Sequence, residues 1–119
     1  MSKRILIVED EPNIIESLSF LLDRAGFDIS FEQDGAMAMN RVLNLTPDLV
    51  ILDVMLPNRS GFDILKDITE LDVAPHVLML TAKGQARDRQ TAEEIGVTRF
   101  MTKPFANAEI VAAVQEILA

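Results

Sequence analysis

The segment Leu49-Val50-Ile51-Leu52-Asp53-Val54-Met55-Leu56-Pro57 decides how this chain reads: four apolar residues run into a single carboxylate, and a short loop follows. An uninterrupted apolar run of this kind is a strand buried on both faces, as in a parallel sheet covered by helices. An unpaired acid inside such a strand is costly, so Asp53 is expected at the strand's exposed end, where we take it as the reacting residue.

Working outward toward the N-terminus, Thr46-Pro47-Asp48 separates this strand from a helical pattern with Ala38, Met39, Val42 and Leu43 on one face. Asp34-Gly35 turns the chain into that helix from Asp28-Ile29-Ser30-Phe31-Glu32, which alternates like a half-exposed edge strand. Before it, Ile14, Leu18, Leu21, Leu22 and Ala25 form a helical stripe that starts after Pro12 and stops at Gly26. The first strand, Arg4-Ile5-Leu6-Ile7-Val8, ends abruptly in Glu9-Asp10-Glu11.

Toward the C-terminus, Phe62, Leu65 and Ile68 mark a third helix, and His76 to Leu80 a fourth strand that ends on Thr81. The next helix, about Gln85 to Ile95, is mostly charged and has only Ala86, Ala92 and Ile95 to anchor it. It should be the most loosely held. Arg99 to Thr102 is a short fifth strand, followed by Lys103-Pro104-Phe105 and a last helix with Ile110, Val111, Val114, Ile117 and Leu118.

Five strands alternating with five helices imply an α/β fold, a doubly wound parallel sheet with helices on both faces. Two strand orders are open for such a sheet. In both, ligands bind outside the carboxyl ends of the strands, where the order reverses.

Composition narrows the function. The 119 residues make one domain, 1–119, with no cysteine for a disulfide or a thiolate metal site. With 11 Lys and Arg against 19 Asp and Glu, the net charge of -8 argues against nucleic-acid binding by this domain. The apolar run Ile5 to Val8 is too short for a signal-peptide core or a membrane span, so a soluble cytoplasmic protein is expected.

The polar residues at the strand ends share one rim of a parallel sheet. Glu9 and Asp10 follow the first strand, Asp53 ends the third, Thr81 ends the fourth and Lys103 follows the fifth. If the first and third strands are neighbours, three carboxylates converge and repel unless a cation sits among them. Oxygen-only ligands of this kind suit Mg²⁺. A carboxylate that attacks phosphorus also needs positive charge nearby, which Lys103 would supply while the Thr81 hydroxyl donates to another phosphoryl oxygen. Removing Lys103 should then weaken a phosphorylated state more than the unphosphorylated fold.

These residues resemble the receiver domain of two-component response regulators over essentially the whole chain. The resemblance is carried by Ile7-Val8-Glu9-Asp10-Glu11-Pro12, by Asp48 through Pro57, by Ser60-Gly61, by Leu80-Thr81-Ala82 and by Phe100-Met101-Thr102-Lys103-Pro104-Phe105. It implies a flavodoxin-like sheet of order 2-1-3-4-5 with five helices. It also implies that Asp53 accepts a phosphoryl group from a histidine kinase or histidine phosphotransfer protein. The receiver itself would catalyse that step and its slow reversal by water, without turning over a free substrate. Glu9, Asp10, Asp53 and the Met55 backbone carbonyl would hold Mg²⁺, and the Lys103-Pro104 bond would be cis. In the switch the Thr81 hydroxyl moves toward the phosphoryl group and Phe100 turns inward. The fourth helix, fifth strand and fifth helix then change toward a downstream partner or output domain, or a phosphorylation-dependent dimer.

Some positions depart from the family pattern. Val97-Thr98-Arg99 and Ala112-Ala113 replace the acidic residues and the arginine usual in winged-helix transcription factors, which puts their typical dimer in question. Ala106 replaces the usual cap of the last helix and leaves Asn107 for that role. Met55 and Lys83, at positions that tune phosphoryl lifetime, carry no group to orient water, which predicts a long-lived phosphoryl group. Ile15 lies beside the stripe of the first helix, either as a boundary core position or where a kinase helix could cover it.

Three rivals share features of this reading. A flavin carrier of the same fold class would need a hydroxyl-rich or glycine-rich phosphate loop where Glu9-Asp10-Glu11 stands. An aspartyl phosphatase would need a general acid beside a first-strand nucleophile. A module that keeps the fold without using phosphate would not need the full set of acids, hydroxyl and lysine. The absence of an output domain from the sequence favours a stand-alone regulator or a relay intermediate.

Overall fold

In the computed structural model, which describes residues 2–82 and 86–119, strand propensity and alternation produce β1 (Arg4–Val8), β2 (Asp28–Glu32), β3 (Leu49–Asp53), β4 (His76–Ala82) and β5 (Arg99–Lys103). Between them run α1 (Pro12–Arg24), α2 (Ala38–Leu45), α3 (Gly61–Thr69), α4 (Ala86–Ile95) and α5 (Asn107–Ile117), with a 3₁₀ turn at Gly35–Met37 leading into α2. All pairings are parallel and the order is β2-β1-β3-β4-β5. The order reverses between β1 and β3, so the acids that follow β1 sit beside the end of β3. Lys83 lies outside the described residues.

The period of two along each strand separates two apolar layers. Leu6, Val8, Val50, Leu52, Val77, Met79 and Phe100 pack under α2, α3 and α4. Ile5, Ile7, Leu49, Ile51, Leu78 and Leu80 pack under α1 and α5. Every residue of β3 is buried, as its unbroken apolar run requires.

The helices correct four sequence-based expectations. On α1 the stripe is turned by about one position: Ile15, Leu18 and Leu22 are buried, Ile14 and Leu21 half-buried, and Ala25 exposed. Ile15, only 6% exposed, is thus part of the core and leaves a kinase helix almost nothing to cover. On α2, Ala38 and Val42 carry the burial at i, i+4 spacing and Leu43 points outward at 58% exposure. The cap of α5 is Ala106, whose backbone is extended and whose side chain makes no capping bond. Asn107 is already inside the helix, because half-buried Phe105 anchors the segment just before it in the layer under α1 and α5. On α4, Ala86 is exposed, Ala92 is the buried residue and Ile95 is half-buried, which fits the expected weak anchoring.

Candidate functional site

Strand register builds the site. Val8 pairs with Leu52, so Glu9 continues beside Asp53; Ala82 pairs with Lys103, so the lysine enters two strands away. Counting alternation from the two layers puts Asp53 and Lys103 on the parity of the α1 and α5 face. Thr81 has the parity of Val77 and Met79, which face α4.

Asp53 differs from its expected setting. It ends β3 as anticipated, but it is buried, with 5% of its surface exposed. Glu9 is buried further, at 1%. Two carboxylates so placed need compensation, and Lys103 supplies it: its Nζ donates to Glu9 Oε1 at 2.8 Å and to Asp53 Oδ2 at 3.0 Å. Glu9 Oε2 meanwhile accepts from the amides of Asp10 at 3.0 Å and Glu11 at 3.1 Å. Burial alone would lower the Lys103 pKa. The hydrogen bonds and negative charge of Glu9 and Asp53 outweigh it and hold the ammonium above its ordinary value of 10.5.

Exposed Asp10 completes an acid cluster. One ligand atom each from Glu9, Asp10 and Asp53 lies within 4.8 Å of the others. This all-oxygen set suits a small hard cation such as Mg²⁺, and each carboxylate oxygen bonded by a proton donor keeps lone-pair capacity for a further contact. The arrangement therefore brings a buried carboxylate, its ammonium partner and a cluster of carboxylate oxygens suited to a divalent cation to one place.

The loop after β3 is braced from two sides. Gly61 is required at the start of α3, because a Cβ there would run into the Asp53 carbonyl oxygen, and the Gly61 amide donates to Val54 O at 2.9 Å. On the other side the Asn58 amide donates to Asp34 Oδ1 at 2.9 Å, and Gly35 N donates to Pro57 O at 3.1 Å. The Asn58 and Ala36 hydrogen bonds hold the Asp34 carboxyl below its usual value. Met55, on this loop, projects its side chain into solvent at 76% exposure.

Thr81, 1% exposed, does not face the acids. Its hydroxyl donates to Asp88 Oδ2 on α4 at 2.9 Å. Phe100 is buried at 8% exposure, with the Arg89 guanidinium 5.3 Å from its ring centroid. Sequence reasoning missed Asp88 and Arg89, which read there only as charges on a solvated helix. The available signal was parity: Thr81 must face α4, and Asp88 is the acid in that helix's first turn. The Lys103-Pro104 bond is cis, as the resemblance implied.

Comparison with known proteins agrees with this geometry. The family model described as response regulator receiver domain matches residues 5–115. The alkaline phosphatase synthesis transcriptional regulatory protein PhoP of Bacillus subtilis is 39% identical over 118 residues, which cover 99% of this chain and 49% of PhoP. The chain thus spans about half the length of the curated relatives it matches. Among solved structures, the BeF3-activated receiver domain of Klebsiella pneumoniae RstA superposes with a TM-score of 0.91 at 25% identity, covering 98% of each chain. The chemotaxis response regulator CheY4 of Vibrio cholerae superposes with a TM-score of 0.90 at 25% identity, covering 98% of this chain and 99% of that one. By fold, motif order and family match, the chain belongs to the response regulator receiver domains of two-component signalling.

Proposed function

We propose that this domain is a Mg²⁺-dependent phosphorylation switch with Asp53 as phosphoacceptor. The observation that carries the reading is the Lys103 ammonium, which bridges Glu9 and Asp53 at the carboxyl end of the sheet. A Mg²⁺ ion held by Glu9, Asp10, Asp53 and the Met55 backbone carbonyl would neutralise charge on the incoming phosphoryl group. The donor is the phosphohistidine of a histidine kinase or phosphotransfer protein. An Asp53 carboxylate oxygen forms the bond to phosphorus as the bond from phosphorus to the histidine nitrogen breaks, and the electron pair returns to the imidazole. Lys103 is placed to follow the Asp53 oxygen and pair with a phosphoryl oxygen, while the Thr81 hydroxyl donates to another.

The output surface is the α4, β5 and α5 face, which would engage a downstream protein, an output domain or a second phosphorylated copy. α4 carries one buried residue among its described positions, Ala92, so repositioning this helix disturbs little core. Among the described residues no helix is long and apolar enough to cross a membrane. With Met55 exposed and no carboxylate or amide at that position, the phosphoryl group should persist.

The test is intact mass after incubation with Mg²⁺ and acetyl phosphate. One added phosphoryl group that requires Mg²⁺ and is absent from Asp53→Asn supports the reading. A folded, metal-binding protein that gains no mass overturns it in favour of a phosphate-independent module.

A further inference from the structure

The Thr81 hydroxyl has one proton, and in this structure that proton is committed to Asp88. Donation to a phosphoryl oxygen on Asp53 therefore requires the Thr81–Asp88 bond to break. A carboxylate is a strong competitor, since a hydrogen bond to an ionised acceptor is roughly twice as strong as one between neutral groups. Thr81 is also buried, so solvent offers its hydroxyl little alternative. Thr81, Asp88 and Met55 line one open cleft beside the Asp53 strand end, which leaves the hydroxyl room to change partners.

We propose that Asp88 is a latch: it holds the Thr81 hydroxyl away from the acceptor site and ties α4 to β4, so that exchange of one hydrogen bond both completes the phosphoryl-binding shell and frees the helix. This rests on the reading of Asp53 as phosphoacceptor. Asp88 is a positioning residue and touches neither Asp53 nor a phosphoryl group. The placement of Phe100 makes the latch the controlling element. Its ring is already buried beneath the Arg89 guanidinium of α4, so it has little further burial to gain when a phosphoryl group arrives. What remains to change is the partner of Thr81. Because α4 has little else buried, loss of that bond removes a large share of what fixes its first turn.

The experiment is a double-mutant cycle on the full chain with Asp88→Ala, Thr81→Ala and the pair, plus Asp88→Asn as the conservative variant. The first readout is the rate of mass gain with acetyl phosphate and Mg²⁺. Asp88→Ala should phosphorylate roughly tenfold faster than wild type, ~1.4 kcal/mol, and Asp88→Asn, which keeps an acceptor oxygen, should fall between the two. In the Thr81→Ala background the same change should have no effect. An equal acceleration in that background, or none in either, overturns the latch. The second readout needs no phosphoryl donor: amide hydrogen exchange across residues 86–95. Each single alanine variant should raise exchange there by the same factor and the pair by no more; additive increases, or none, overturn the proposal. If wild type and Asp88→Ala both gain no mass while exchange is coupled, the reading of Asp53 fails and the latch falls with it, and only the tie of α4 to β4 remains.

Discussion

The two ends of the proposed switch are built in opposite ways. At the acid corner, Glu9 follows β1, Asp53 ends β3 and Lys103 ends β5; the two acids are buried, the lysine is half-buried, and the group is held by two ion pairs and by hydrogen bonds from two backbone amides to Glu9. At the α4 corner, a helix with one buried residue is held by the Thr81–Asp88 bond and by Arg89 over Phe100. A site for chemistry must keep its groups in place, and a site for signalling must be able to let go. The fold separates the two needs between the sheet and its least anchored helix.

The sharpest way to break this comparison is to loosen the rigid corner. Lys103→Ala leaves two buried carboxylates beside each other with no counter-charge. Breaking a fully buried pair costs about 3–5 kcal/mol. The Lys103 side chain is 22% exposed, so solvent offsets part of this and a loss of about 2–3 kcal/mol is expected. Urea melts measure it. Added Mg²⁺ should restore more stability to the variant than it adds to wild type, because a cation among the acids replaces the missing charge. Equal stabilisation of both proteins would mean that Lys103, and not repulsion among the acids, governs the corner.

Loosening the other corner should cost far less. Arg89→Ala removes an exposed cation over the Phe100 ring, worth about 0.5–1 kcal/mol. Near-neutral stability together with faster amide exchange across α4 is the expected outcome. A loss as large as that of Lys103→Ala would show that α4 is anchored as firmly as the acid corner.

This contrast explains what could be read in the sequence. Apolar runs and periodicity located the five strands and the helices other than the mostly charged α4, and strand ends alone gathered Glu9, Asp10, Asp53, Thr81 and Lys103 at one rim, because side-chain position in a sheet follows from register. The choice of strand order came from the resemblance. Three cases show where tertiary packing, not the local sequence, decides. Asp53 is buried because a lysine fifty residues away makes burial tolerable, and no local pattern carries that information. Ile15 was misplaced because a helical stripe near the edge of its arc can turn by one residue without altering the count of apolar positions. Asp88 was overlooked because its role depends on how α4 docks over β4, and a mostly charged helix gives no periodicity from which to infer a docking angle.

The smallest expected effect tests the acid corner through pH. Lys103 is held above its ordinary value, so its ion pairs contribute stability that is fully present below the unfolded value of 10.5 and is lost as pH rises through the higher folded value. Between pH 6 and 9 this group should therefore add no slope to the stability curve, and the loss should begin only above about 10.5. Thermal melts of wild type and Lys103→Ala from about pH 6 to above 10.5 isolate it, because at alkaline pH the variant has no ammonium at this position left to titrate. If the wild type loses the extra stability below pH 10 while the variant stays flat, burial has overcome the two carboxylates. The ammonium would then be a weak counter-charge, and a divalent cation would have to supply most of the neutralisation that the proposed phosphoryl transfer to Asp53 requires.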